Sequence, residues 1–246
     1  MQSKNTAQED PRLHAALAAA DWPSLTRLCR QILRKNGRHL GAHRLLGFSL
    51  QKQREFDAAL RAYKQAYAYW PGDAELLINY ANTLIEQARN YDALPHLEKV
   101  CELRPQQAVA WIKLAECCYL IGLHSKGFEA SQKAIELADS MPLTVGALMQ
   151  SAIHRRELGQ VREAVQDCEK AIALSPRDPG NYTNKLLFML ADPTVTADQL
   201  ATAAREFGAV FEPPLKPQWP SFESHRGAPW QRLKIGFFSP DFRVHS

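Results

Sequence analysis

Three phrases of this chain close on a proline after an amphipathic run: AALRAYKQAYAYWP at Pro71, ALPHLEKVCELRP at Pro105 and AVQDCEKAIALSP at Pro176. Pro71 and Pro105 stand 34 residues apart. A fixed period of that length constrains the fold more than any single motif, because each copy must be a unit that packs on the next. Counted back from the prolines, units run over 40–73, 74–107 and 145–178, and 108–141 fits the same frame without its proline. The stretch at Met141-Pro142 shifts the phase by a few residues before the next unit.

Inside the frames the same residue types recur. Small residues stand at Gly47, Ala81, Ala115 and Ala152 in the first half of each unit, and at Ala59, Ala93, Gly127 and Ala164 in the second. A later small or apolar set is Ala66, Val100, Ala134 and Ala171, with Tyr63 and Leu97 as wedges and Ser131 and Cys168 as weaker ones. Each unit reads as two antiparallel helices. Small residues let the axes approach, and one pair cannot bury its own apolar face although a stack can. Gly122 and Gly159 fall in the turn between the helices, where a left-handed conformation is cheap for glycine. Trp111 reads as a packing residue.

This pattern resembles the tetratricopeptide repeat family across Leu40 to Asp178. The resemblance implies an all-α fold, a right-handed superhelix of antiparallel helix pairs, with a concave groove that takes a protein or an extended peptide. Residues 1–39 read as a degenerate helical repeat serving as N-terminal cap. In this frame Arg44, Asn79, Asn82, Lys113, Gln150 and Asn184 are the candidate peptide-binding residues of the groove. An amide side chain offers both donor and acceptor, so it can pair with a peptide backbone of any sequence. The column is interrupted at Leu45 and Lys113.

Beyond the repeats, 179–212 reads as transition helices. An apolar run from Leu186 to Leu190 is broken by Asp192-Pro193, and Thr196 is a suitable N-cap for a helix to about Phe211. Leu200, Ala204, Phe207 and Phe211 share one face of it. Residues 213–232 form a proline-rich linker, and 233–246, LKIGFFSPDFRVHS, open as a strand.

This order of pieces, from Asn184 to Ser246, resembles the O-linked N-acetylglucosamine transferases of the SPINDLY type, glycosyltransferase family 41. That resemblance implies that 233–246 is the first strand of a truncated Rossmann-like lobe and that His245 is a catalytic candidate. Asp241 would structure the loop. The expected function is a protein–protein interaction module, the acceptor-recognition arm of such a transferase. One alternative is part of an active protein O-glycosyltransferase, moving a sugar from a UDP-sugar to Ser or Thr, whose other lobes lie downstream. The second is a stand-alone repeat scaffold. No glycine-rich phosphate loop is present to hold a nucleotide sugar, so the chain by itself is expected to use no cofactor, and a UDP-sugar donor belongs only with the missing lobes.

Composition narrows the classes further. A net charge of +4 with basic and acidic residues interspersed lacks the stripe a nucleic-acid surface needs. The five cysteines, Cys29, Cys101, Cys117, Cys118 and Cys168, match no metal spacing and read as buried, reduced thiols. The start MQSKNTAQED is polar, and KLLFMLAD is too short to cross a bilayer. A cytoplasmic protein off the membrane is expected, and a homodimer through helix faces is left open.

Overall fold

The turn between paired helices sets the architecture. In the computed structural model, which describes residues 11–218, the backbone φ is positive at Ala20, Arg54, Ala88, Gly122 and Gly159. The first four stand 34 residues apart in succession, and Gly159 follows after 37. At each, the residue's N–H bonds the carbonyl three back, as from Arg54 to Gln51, and the next N–H bonds the carbonyl five back, as from Glu55 to Leu50. This is the Schellman closure of a helix C-terminus. Glycine is needed at two of the five positions only in the sense that it is cheapest there; Ala20, Arg54 and Ala88 adopt the same conformation under strain.

Twelve α-helices follow among the described residues: α1 (Pro11–Ala18), α2 (Trp22–Lys35), α3 (Leu40–Lys52), α4 (Phe56–Tyr69), α5 (Ala74–Glu86), α6 (Asn90–Leu103), α7 (Ala108–Leu120), α8 (His124–Leu137), α9 (Met141–Glu157), α10 (Val161–Leu174), α11 (Pro179–Ala191) and α12 (Ala197–Phe211). A 3₁₀ turn, Lys216–Gln218, follows. They pack as consecutive antiparallel pairs, each pair on the next. The expected strand at 233–246, with His245, lies outside the described residues, as do the first ten residues and the linker beyond 218.

Caps fix where the first helices start. Asp73 Oδ1 accepts from Leu76 N–H at 2.7 Å, and Asp178 Oδ1 accepts from Gly180 N–H at 2.9 Å. Each aspartate lies two residues after the proline of its phrase, so the proline breaks one helix and the aspartate opens the next. The phase shift at Met141 resolves as an added turn: α9 has 17 residues where α3, α5, α7 and α11 have 13.

The core is a chain of clusters between neighbouring helices. The largest joins Leu77, Leu84, Leu97, Val100, Leu114 and Cys118 across α4 to α8. The recurrent small residues lie inside it: Ala81, Ala93 and Ala115 are fully buried. Where the small residue is glycine, a ring fills the space instead. A Cβ on Gly47 would fall 2.3 Å from the Tyr63 ring, and one on Gly127 would fall 2.1 Å from the His154 imidazole. His154 thus does for the α7–α8 pair what the wedge Tyr63 does for the α3–α4 pair, since Ser131 is too small.

One expectation holds in α12 and one shifts. Thr196 does cap it, with a reciprocal Gln199 bond completing the capping box. The buried small residue is Ala203, however, and Ala204 is exposed. Positions three and four after Leu200 both fall on its face, so helical spacing alone does not choose between them. Phe207 and Phe211 pack edge-on against Tyr182, with ring centroids 6.0 and 5.4 Å away.

Candidate functional site: the face of the first helices

Beyond packing within pairs, α3 packs on α5 and α7 on α9, whereas successive second helices do not pack comparably. The array therefore closes up on the side of its first helices, and that side is the concave one.

At its N-terminal end this face holds a cavity of about 170 Å³ between α1, α3 and α5. Leu13, Leu17, Leu45 and Phe48 make its apolar walls, and Arg44 and Asn79 supply the polar groups. Arg44 and Asn79, expected from the sequence, are thus brought together. Phe48 is held from behind by Trp22, edge-on at 5.8 Å. The wall from α1 was hidden because the first unit has lost its phrase-ending proline; the signal was Ala20, one period before Arg54.

The cation of Arg44 is partly neutralised. Its Nη2 donates to Glu75 Oε2 at 3.0 Å, and its Nε lies 3.8 Å from Asp73 Oδ1. Arg104, from the loop after α6, donates to the other oxygen of Glu75 at 3.0 Å. One carboxylate therefore bridges two arginines from successive units, so the trio keeps one positive charge more than Glu75 removes. Exposed ion pairs of this kind add little stability and mainly hold side chains in place.

The other expected residues are spread along the face. Asn82 lies on α5, three residues past Asn79. Lys113 on α7 is tied to Glu116 at 2.7 Å, which makes it a weaker cation for any ligand. Gln150 lies on α9 and Asn184 on α11. The side chains of Asn79, Asn82, Gln150 and Asn184 are half-buried and make no hydrogen bond among the described residues. Trp111 is a packing residue, its indole N–H donating to the carbonyl of Pro105 at 2.9 Å.

The five cysteines are free and buried, and burial pushes Cys29, Cys101 and Cys168 up to about 12 and Cys117 and Cys118 to about 11. Such thiols stay protonated and unreactive at neutral pH. Burial also lowers His96, stacked 4.7 Å from Tyr80, and His154, whose Nε2 is 3.1 Å from the carbonyl of Ala115. No group of three or more His, Cys, Asp or Glu among the described residues could hold a metal ion. No described helix is long and apolar enough to cross a membrane.

A second, larger cavity, about 520 Å³, opens at the other end between α10, α11 and α12. Val165, Met189 and Ala203 form its floor. Lys185 spans it, 3.2 Å from Glu169 and 3.6 Å from Glu206. The turn between α11 and α12 explains the opening. It has five residues where every other pair has three, and Asp192 closes it by accepting from Thr194 N–H at 2.8 Å.

This architecture is that of the tetratricopeptide-repeat proteins. Residues 50–93 match the family model described as tetratricopeptide repeat. Among solved structures, the chain resembles a tetratricopeptide repeat protein from Parabacteroides merdae, at 18% identity and TM-score 0.70, over 82% of this chain and 77% of that one. It resembles the MamA protein at 21% identity and TM-score 0.66, over 75% of this chain and 98% of that one. It also resembles YrrB, a tetratricopeptide repeat protein with an unusual peptide-binding site, at 14% identity and TM-score 0.62, over 70% and 88%. In sequence it is 24% identical over 225 residues to Protein FlbA of Caulobacter vibrioides, an alignment that takes in 78% of this chain. The match spans only 37% of FlbA's length.

Proposed function

We propose that the chain is a protein-interaction module that holds an extended peptide or protein segment along the face of its first helices. One observation carries this reading: Asn79, Asn82, Gln150 and Asn184 recur on that face with no side-chain hydrogen bond among the described residues. A half-buried amide without a bond is a group that gains by meeting a peptide backbone. The cavity beside Arg44 and Asn79 suits one apolar side chain of such a segment. The five free thiols are in keeping with a reducing, cytoplasmic setting.

A displayed random-peptide library, panned on the 246-residue chain, tests the reading. Selected peptides should bind the native chain and lose affinity by about tenfold or more when Asn79 and Asn82 are both changed to Ala, since two lost amide bonds are worth about 1–3 kcal/mol. Peptides that bind the double variant equally well would overturn it.

A finer reading makes this module the acceptor-recognition arm of a protein O-glycosyltransferase. Its support is the motif LKIGFFSPDFRVHS after the helices, with His245 as the residue to mutate first. The intact mass of the protein isolated from its source tests this. A mass well above 27.7 kDa, with UDP-sugar binding, supports it; saturable UDP-sugar binding by these 246 residues alone would show that the donor site needs no further lobes.

A further inference from the structure

The formal charge of the chain is unevenly placed. Residues 11–39 hold six Lys and Arg against one acid, Asp21. Residues 40–246 hold 23 of each sign. The excess of the whole molecule therefore sits on its first helix pair, and chiefly on α2, whose sequence WPSLTRLCRQILRK contains no acid.

On α2 the cations form a line. Arg27, Arg30 and Arg34 recur at i, i+3 and i+7, which places them on one side of the helix over about 10 Å. Lys35 flanks them. All four are exposed, and none forms an ion pair among the described residues. Some exposed lysines of other helices carry their own acids, as Lys99 does with Glu102 and Lys133 with Glu136, both at 2.8 Å, whereas Lys52 and Lys64 pair with none among the described residues. Arg34 and Lys35 have an internal reason for their place, since cations in a last turn complement the helix dipole. Arg27 and Arg30 lie earlier in the helix and gain nothing from it. A groove of about 470 Å³ runs alongside, with Gln31, Ile32, Arg34 and Asn36 in its lining.

We propose that this exposed face of α2 is a docking surface for a segment of a partner protein rich in aspartate and glutamate. Arginines in a row at helical spacing match carboxylates presented along a segment, and each guanidinium can bind a carboxylate through two parallel bonds. A nucleic acid fits less well. The excess of positive charge ends with this helix pair, and among the described residues the rings near it are engaged: Trp22 packs on Phe48, and Arg38 covers the Tyr69 ring at 5.1 Å. A lipid surface fits less well too, because the apolar side of α2 is already buried, with Leu25 and Cys29 packed among α1 and α3. This surface is separate from the groove of the first helices.

Fluorescence anisotropy with a labelled poly-glutamate peptide, at an ionic strength of about 0.15 M, is the test. The intact chain should bind it saturably, and more weakly as salt is added. The Arg27→Glu, Arg30→Glu, Arg34→Glu variant should bind at least about tenfold more weakly, and Arg27→Gln with Arg30→Gln should fall between. Circular dichroism should be unchanged, since these side chains are exposed. Asn79→Ala should have no effect. Undiminished binding by the charge-reversed variant, no binding by the intact chain, or tighter binding of a DNA duplex or of phosphatidylserine vesicles at the same salt would each overturn the proposal.

Discussion

At the scale of the residue, the left-handed turn position gives a reciprocal experiment. Ala88 holds a φ of +55° that suits glycine better, and Gly122 holds +76° at the equivalent place. Ala88→Gly should raise stability by about 1 kcal/mol, and Gly122→Ala should lower it by a similar amount. The added Cβ at Gly122 would meet nothing within 4 Å, so the whole effect is conformational. Urea denaturation of the two variants checks it. Gly127→Ala is a different case, because its Cβ would strike the His154 ring. A loss of about 1–3 kcal/mol is expected from overpacking. His154 also sets a direction with pH. Burial holds its imidazole below the usual value, so the stability it contributes is complete above about pH 6.5 and drains away as the pH falls through its lower folded-state value. His96 acts in the same sense. The urea midpoint should therefore fall between about pH 7 and pH 5. It should fall less steeply in His154→Gln.

At the scale of the element, the most exposed dependence is a buried polar knot between α8, α9 and α10. Ser151 donates to Asp167 at 2.7 Å, Gln132 donates to Ser151 at 3.0 Å, and Arg155 lies 3.1 Å from the same carboxylate. Asp167→Ala leaves Ser151 without its acceptor and Arg155 without its carboxylate, and a loss of about 3 kcal/mol is expected by chemical denaturation. The knot was not legible beforehand, since its side chains come from three helices that only stacking brings together. What the sequence did make legible was periodic: the helix pairs, the fully buried Ala81, Ala93 and Ala115, and the Thr196 cap. Period and cap chemistry are local, so they survive in a linear string. The Gly127–His154 contact, the Glu75 bridge between Arg44 and Arg104, and the α1 wall of the cavity join residues of different units. Only stacking creates them. Reading the charges as interspersed was right for 40–246 and missed α2, because three arginines spaced along a string look scattered until a helix lines them up.

At the scale of the whole molecule, each pair touches only its neighbours, so stability adds up from pair to pair along the array. The apolar cluster is largest across α4 to α8, whereas α12 buries only Ala203. Amide exchange should be slowest in α5 to α8 and fastest in α12 among the twelve helices. Hydrogen-exchange mass spectrometry reads this directly, and equal protection in every helix would show a single cooperative unit instead.

Every helix pair but the last is joined by three residues, and the middle one is left-handed each time. The joints of α3 to α8 are therefore interchangeable parts. Copying or excising 34 residues between two of them returns the reading frame of the fold as well as that of the gene. A lineage carrying this chain can lengthen or shorten its binding face by duplication alone, without ever passing through a protein that has to find a new way to fold.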